Sequence, residues 1–258
     1  MNTSRIFWQL LKTDLIFFKR RFIEAFINLA IWVVCTIFVN VYVLQKLGLQ
    51  QGYGQLMVAG IMVSAAWFEM LPHMINAVSD FFGDRHIDYH LTLPMSNYLI
   101  FIKSVCAYII DVFVFTIIGL IFAAVLMSDQ VHLSQISPLH MSIAIILTSV
   151  FFGSFILFLT SICKNPGYIG TVISRIIFPL WFLGGFAFPW ETLYEIAPTI
   201  SYIALINPYT YMTEMLRVAT IGQQGFLPFW PSALALITLT VITGYMGIQR
   251  LKYKLDFI

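Results

Sequence analysis

Six long apolar stretches dominate the sequence, and each is close to the length that crosses a lipid bilayer. A transmembrane helix needs about 20 mainly apolar residues, because each residue rises about 1.5 Å through a hydrocarbon core about 30 Å thick. The stretches lie near Phe26–Leu44, Leu56–Ser79, Ser104–Met127, Met141–Cys163, Tyr168–Phe188 and Ser232–Ile248. The sequence therefore predicts an all-α integral membrane protein with six transmembrane helices.

The composition argues against the soluble classes of protein. Only 10% of the 258 residues are charged and 60% are hydrophobic, whereas a soluble domain has roughly 25% charged residues. A soluble globule of this composition would expose large apolar patches and aggregate. The net charge of +2 is too small to indicate a nucleic acid partner. Because the polar stretches are too short to fold alone, residues 1–258 are predicted to form a single transmembrane domain.

Residues 4–22, before the first stretch, have a different pattern. Apolar residues recur there at helical spacing, and cationic residues fall mostly between them. This pattern predicts an amphipathic helix that lies in the membrane interface and turns its cations toward anionic lipid headgroups. No small-residue cleavage site follows, so a cleavable signal peptide is not expected.

The positions of lysine and arginine predict the orientation in the membrane. If both termini face the cytosol, the inner side holds eleven of the fourteen cationic residues and the outer side holds two. The remaining one, Arg175, lies inside the fifth stretch near its inner end. Cytosolic loops of membrane proteins carry an excess of lysine and arginine, so the opposite orientation is rejected.

The loop of residues 80–95, after the second stretch, is the first candidate functional segment. A short amphipathic helix here can insert apolar side chains into a groove of a partner protein, with charged residues around them. An ordinary connecting loop is the alternative. The candidate docking residues are Gly83, Asp84, Arg85, His86, Ile87, Asp88, Leu91, Leu93 and Pro94. His86 and His90 are four residues apart, but without a third firm ligand no metal site is predicted.

Three ionisable residues, Glu69, His73 and Asp111, lie inside predicted spans. A charge at the bilayer centre costs about 2.5–3.5 kcal/mol, so such residues face a cavity, a partner or the bundle interior. Glu69 and His73 are four residues apart and share one helix face. The functional interpretation is a polar patch on a translocation path or a gate. The alternative is an interhelical hydrogen bond that fixes packing.

Residues 189–225, between the fifth and sixth spans, are too polar and too rich in proline to form a clean span. The pattern predicts short outward-facing helices at the interface, with a possible return into the membrane. Asn207-Pro208 is typical of a turn that starts a helix, and Glu214 and Arg217 are spaced to pair on one helix face. The candidate structural residues are Pro189, Asn207, Pro208, Tyr209, Glu214 and Arg217.

The order of these features resembles the ABC type-2 exporter permeases over nearly the whole chain. The features are the amphipathic N-terminal helix, the loop that ends in Leu-Thr-Leu-Pro94, Phe188-Pro189, the motif Asn207-Pro208-Tyr209-Thr-Tyr, and the downstream Arg217. The resemblance implies a bacterial cell-membrane protein that forms a homodimer or pseudo-dimer. It also implies two separate cytosolic ABC ATPases, with residues 80–95 as the coupling helix. Many family members carry a Ser/Gly-Thr-Leu pattern where this loop reads Asp-Arg-His-Ile-Asp-Tyr.

The absence of a phosphate-binding motif bears on the energy source. The sequence holds no Gly-x-x-x-x-Gly-Lys-Ser/Thr loop, so this chain is not expected to be an enzyme, and ATP and magnesium are expected on the partner ATPase. Two alternatives are an ion- or proton-coupled secondary transporter and a non-transporting membrane anchor of a complex. The secondary transporter would need an internal repeat with broken helices, and no convincing repeat is seen. Drug, lipid, glycan, peptide and haem-related substrates are all compatible with the sequence.

Overall fold

The computed structural model describes residues 3–46, 48, 53–84 and 86–256, and nearly all of them are helical. The described residues contain no strand, and six of their helices are long and apolar enough to cross a membrane. The main helices are α1 (Thr3–Val43), α2 (Tyr53–Gly83), α3 (His86–Leu91), α4 (Asn97–Leu126), α5 (Pro138–Ile162), α6 (Pro166–Leu183), α7 (Trp190–Ile196), α8 (Pro198–Ala204), α9 (Pro208–Ile221) and α10 (Phe229–Asp256). The prediction of an all-α membrane fold with six spans is confirmed.

Helix α1 is continuous where the sequence predicts two elements. The interface helix of residues 4–22 and the first span join without a break, because no glycine or proline occurs between Thr3 and Val43. The 41 residues of α1 correspond to a length of about 60 Å, roughly twice the hydrocarbon thickness. Part of α1 therefore extends beyond the apolar layer, and its N-terminal half, which carries most of its charges, supplies that part.

Helices α2 and α5 form the centre of the bundle. Most side chains in their apolar windows are buried inside the chain, whereas in the windows of α1, α4, α6 and α10 a third or fewer are buried. Small residues allow close contact around this centre. A Cβ atom added to Gly247 of α10 would lie 2.8 Å from the backbone nitrogen of Phe158 in α5, and one added to Gly153 of α5 would lie 2.6 Å from Ile109 of α4.

Side-chain contacts show which helix ends lie together. The Lys103 ammonium near the start of α4 lies 2.8 Å from an oxygen of Asp14 in the N-terminal half of α1. The Lys252 ammonium near the end of α10 lies 3.3 Å from the Tyr98 hydroxyl, also near the start of α4. Both described ends of the chain therefore lie at the end of the bundle that holds α3. We call this the α3 end, and the opposite end the α7–α8 end.

Helix α9 is inserted into the bundle instead of lying on its surface. It packs against α2, α5 and α10, and nearly all of its side chains are buried. Near its N-terminus, the Tyr209 ring lies 6.2 Å from that of Phe152 in α5. At its other end, the Ala219 carbonyl accepts a hydrogen bond of 2.9 Å from the Ser137 amide. Of the three helices in residues 189–225, α7 and α8 keep the predicted exposed character, whereas the polar groups of α9 are paired within the chain.

The close contact between α10 and α5 predicts a sharp difference between two glycine substitutions. Gly247→Ala should destabilise the protein by about 1–3 kcal/mol, because the new methyl group overlaps the α5 backbone. Gly170→Ala is the matched control, since no atom lies within 4 Å of a Cβ at that helical position, and it should be neutral or slightly stabilising. Thermal unfolding in detergent measures both, and equal midpoints would contradict the helix contact.

Candidate functional site

Four ionisable side chains from three helices meet inside the bundle. Arg21 of α1 donates a hydrogen bond from Nη2 to Oε1 of Glu69 in α2. The same Nη2 lies 3.1 Å from Nε2 of His73 and 3.7 Å from Oδ2 of Asp111 in α4. His73 Nε2 is 3.0 Å from Asp111 Oδ2 and 3.4 Å from Glu69 Oε1. The three predicted intramembrane residues thus form one ion-paired group with Arg21, which we call the Arg21 cluster.

Sequence reasoning missed Arg21, because it assigned that residue to the cations of an interface helix. The useful signal is the absence of any helix breaker in α1, since a continuous helix carries Arg21 to the level of the buried acids. Aromatic packing sets the register of α1 against α4. The rings of Phe18 and Phe22 lie 6.1 Å and 5.7 Å from that of Phe115, one turn from Asp111.

The net charge of the Arg21 cluster bears on whether the cluster can bind a metal ion. The ligand atoms of Glu69, His73 and Asp111 lie within 4.8 Å of one another, close enough to hold a metal ion. The guanidinium of Arg21 contacts the same atoms, so it supplies the positive charge in this arrangement. One guanidinium faces two carboxylates, which leaves a net charge of −1 when His73 is neutral and zero when it is protonated. Asp111 Oδ1 is buried without a hydrogen-bond partner.

Two cavities lie on either side of the Arg21 cluster. The larger, about 650 Å³, is lined by Arg21 and Asp111 and reaches Ile87 and His90 of α3. The smaller, about 430 Å³, is lined by Arg21 and Glu69 and extends between α1 and α2 away from the α3 end. We call them the inner cavity and the side cavity. The contact between Arg21 and Glu69 therefore lies at the boundary between the two.

A second polar contact fixes α1 beside the inner cavity. Lys103 of α4 is buried, and its ammonium lies 2.8 Å from Oδ2 of Asp14. Asp14 and Arg21 are two helical turns apart, so both lie on the face of α1 that points toward α4. Helix α1 is therefore attached to α2 and α4 by two polar contacts with phenylalanine packing between and beyond them.

Helix α3 shows how two residues of the predicted docking loop, residues 80–95, are exposed or buried. Ile87 is 5% exposed, and its amide donates a hydrogen bond of 3.1 Å to Oδ1 of Asp80. Ile87 therefore packs into its own chain beside the inner cavity, and its insertion into a partner's groove stays a prediction. Tyr89, which the sequence analysis did not select, is 66% exposed. An aromatic residue directly after Asp88, in a loop with other charged residues, was the available signal for it.

The other predicted docking residues differ in solvent exposure, and some of their side chains are not described. Gly83 and Pro94 are exposed, and Leu91 and Leu93 are half-buried. Arg85 lies outside the described residues, as do the side chains of Asp84, His86 and Asp88. Their roles in docking stay predictions.

The predicted pair of Glu214 and Arg217 is confirmed, but it is buried and not at the surface. Arg217 Nη1 lies 2.9 Å from Glu214 Oε1, and Nη2 donates to the Gly185 carbonyl. Glu214 also accepts hydrogen bonds from the amides of Trp190, at 3.1 Å, and Leu227, at 2.9 Å. Burial lowers the pKa of Arg217 and Glu214 opposes this, yet a guanidinium keeps its charge in proteins. This pair holds four segments together at the α7–α8 end.

The predicted helix start at Asn207 is also confirmed. The Asn207 side chain accepts a hydrogen bond of 2.9 Å from the Tyr209 amide, and its Nδ2 donates to the Leu180 carbonyl at 2.6 Å. Pro208 follows in the first turn, where it needs no amide hydrogen. Pro189 instead precedes α7 and occupies its N-cap position. Asn207 thus both caps α9 and attaches it to α6.

Comparison with known proteins identifies one relationship. A family model described as ABC-2 type transporter matches residues 5–221. No curated protein and no solved structure matches the chain. The matched residues include the Arg21 cluster, helix α3 and the pair of Glu214 and Arg217.

The Arg21 cluster predicts a large difference between two adjacent arginines. Arg21→Gln should destabilise the protein by about 3–5 kcal/mol, because it leaves two buried carboxylates without a cation. Arg20→Gln is the matched control, since Arg20 is exposed and has no ion-pair partner among the described residues; its effect should stay below about 1 kcal/mol. Denaturant unfolding in micelles measures both. Similar losses for the two variants would argue against the ion pair.

The buried pair at the α7–α8 end predicts a local loss of structure. Glu214→Ala removes the counter-ion of Arg217 and the acceptor for two backbone amides, so residues 184–228 should exchange their amide hydrogens at least about tenfold faster. Glu195→Ala, at an exposed position on α7, is the control and should leave exchange unchanged. Hydrogen exchange followed by mass spectrometry gives the answer, and unaltered exchange in Glu214→Ala would refute this role.

Proposed function

Because the chain belongs to the ABC-2 type transporter family as a transmembrane subunit, we propose that it exports its substrate by alternating access. In this proposal two copies form the transport unit in the cell membrane, with both termini and the α3 end in the cytosol. ATP and magnesium bind to a separate cytosolic ABC ATPase, which docks on the loop of residues 80–95. The Arg21 cluster is the gate on the substrate route.

The observation that carries the proposal is the position of the Arg21 cluster between two cavities. The inner cavity extends to α3, where Ile87 forms part of its wall. A displacement of α3 by a partner therefore changes the shape of the inner cavity and the packing of α2 and α4 around Glu69 and Asp111. The contact between Arg21 and Glu69 is the barrier that such a displacement would break. The docking loop and the gate are in this way mechanically connected.

The opposite end of the bundle supports the same proposal. The loop that joins α6 to α7 is held by the pair of Glu214 and Arg217, and α9 fills the space between α2, α5 and α10. The ion pair and the packing of α9 together close the α7–α8 end of the chain, whereas the inner cavity lies near the α3 end. Such an arrangement matches a transporter that receives its substrate from the cytosolic side. The outward step then requires movement of these segments or of the two copies.

Recovery of the ATPase tests the proposal directly. The tagged chain, extracted into nanodiscs from its native host, should retain a P-loop ATPase identified by mass spectrometry, and the eluate should hydrolyse ATP. The triple charge reversal Asp84→Lys, Arg85→Glu and Asp88→Lys should lower both by about tenfold or more, because it inverts the docking charges.

The matched control is the reversal of Glu191 and Glu195 to lysine, which changes exposed charges on α7 at the other end of the bundle. It should retain the ATPase. A wild-type chain without any ATPase would contradict the proposal and favour a secondary transporter. If the triple variant kept full ATPase recovery and activity, residues 80–95 would not be the docking site.

A further inference from the structure

Three side chains of the Arg21 cluster have the spacing of metal ligands. His73 Nε2 lies 3.0 Å from Asp111 Oδ2 and 3.4 Å from Glu69 Oε1. Two ligand atoms that bind one metal ion, each at about 2.0–2.2 Å, lie roughly 3.0–3.5 Å apart at the usual bond angles. The ligand atoms of all three side chains lie within 4.8 Å of one another. The two distances from His73 therefore match those expected in a metal site.

One oxygen of this donor set has no partner. Asp111 is 3% exposed, and its Oδ1 makes no hydrogen bond within the described chain. Arg21 and His73 both contact the other oxygen, Oδ2. A buried acceptor without a partner costs free energy, so it requires an explanation. A metal ion supplies one, because it can bind both oxygens of a carboxylate.

The charges of the donor set favour a divalent cation. Glu69 and Asp111 carry two negative charges, and Arg21 compensates only one of them. An ion of charge +2 would neutralise both carboxylates while His73 stays neutral, which is the form of histidine that binds metals. One imidazole with two carboxylates suits ions such as zinc, manganese and iron, and the absence of sulfur from the set disfavours copper(I).

We propose that Glu69, His73 and Asp111 form a binding site for a divalent first-row metal ion, and that Arg21 competes with the ion for this site. The inference rests on the proposed function in one respect, the opening of the contact between Arg21 and Glu69. All three ligands belong to α2 and α4, whereas the competing guanidinium belongs to α1. Metal binding therefore releases α1 from the cluster and holds the gate open.

The two cavities provide a route for the ion and a place for the displaced arginine. The inner cavity is lined by His73 and Asp111 and reaches α3, so an ion can enter from the α3 end. The side cavity is lined by Arg21 and Glu24. Because Glu24 lies three residues after Arg21 on the same helix, the two side chains can pair. Glu24 thus offers the guanidinium a carboxylate once a metal ion has replaced it.

Equilibrium binding of Zn²⁺ tests the site in the wild-type chain. The purified chain, in an uncharged detergent and without a histidine tag, should bind one Zn²⁺ at the cluster. Loss of a group that only orients a metal ligand lowers affinity by about tenfold or more, so His73→Ala and Asp111→Asn should each weaken binding by at least this factor. Asp80→Asn is the matched control, because it removes a charge from the inner cavity but keeps an acceptor for the Ile87 amide. It should leave Zn²⁺ binding unchanged.

The competing guanidinium predicts a gain of affinity in Arg21→Gln. This variant should bind Zn²⁺ about tenfold or more tightly than the wild type, whose site is free of the guanidinium only in a minor fraction of chains. Zn²⁺ at about 100 times its Kd should also raise the unfolding midpoint of Arg21→Gln by roughly 5 °C or more, because the ion restores a cation to two buried carboxylates. Arg20→Gln is the control and should bind Zn²⁺ as the wild type does.

Two results would overturn the proposal. Equal Zn²⁺ binding by the wild type, His73→Ala and Asp111→Asn would place the ion elsewhere in the chain. Binding by Arg21→Gln, with none by the wild type below about 1 mM, would make Arg21 a permanent counter-ion. If Arg21→Gln does not fold, the wild type and the two ligand variants decide the question. The assay uses neither ATP nor an ATPase, so its failure is separate from a failure of ATPase recovery, which concerns the docking loop.

Discussion

The cost of leaving a charge unpaired in a hydrocarbon layer governs the arrangement of this protein. The chain has few charges, and those inside its apolar segments determine which helices must meet. Glu69 and Asp111, on different helices, are both compensated by Arg21 of α1, and this brings three spans together around one point. Glu214 and Arg217 follow the same rule at the α7–α8 end, where their pairing holds a non-spanning helix within the bundle.

Helix α1 connects the parts of the molecule that the proposed function requires to act together. Its N-terminal half is attached to α4 through Asp14 and Lys103 beside the inner cavity. Arg21 then lies at the boundary to the side cavity. Because no glycine or proline interrupts the helix between Thr3 and Val43, we expect its two halves to move together. A helix that is little buried within its own chain can move in this way at a lower cost than the central α2 and α5.

Particular residues show how far sequence reasoning reached. The six spans, the helix start at Asn207 and the pairing of Glu214 with Arg217 were predictable, because each depends on neighbours within a few residues. The partner of Glu69 was not predictable, because Arg21 lies 48 residues away on another helix. Ile87 was assigned to a partner's groove because its amphipathic pattern is the same whether the apolar face meets its own chain or another protein. Whether residues 189–225 return into the bundle was left open for a related reason, since buried polar groups look exposed until their partners are known.

The sequence by itself determined that this chain crosses a membrane, how many spans it has and where local helix signals begin and end. These properties follow from hydropathy and from short-range hydrogen bonding. The tertiary structure alone decided that residues 4–22 continue into the first span and that Arg21 is the counter-ion of the buried acids. The physical reason is that pairing of charges depends on distances between helices, which a one-dimensional pattern does not contain.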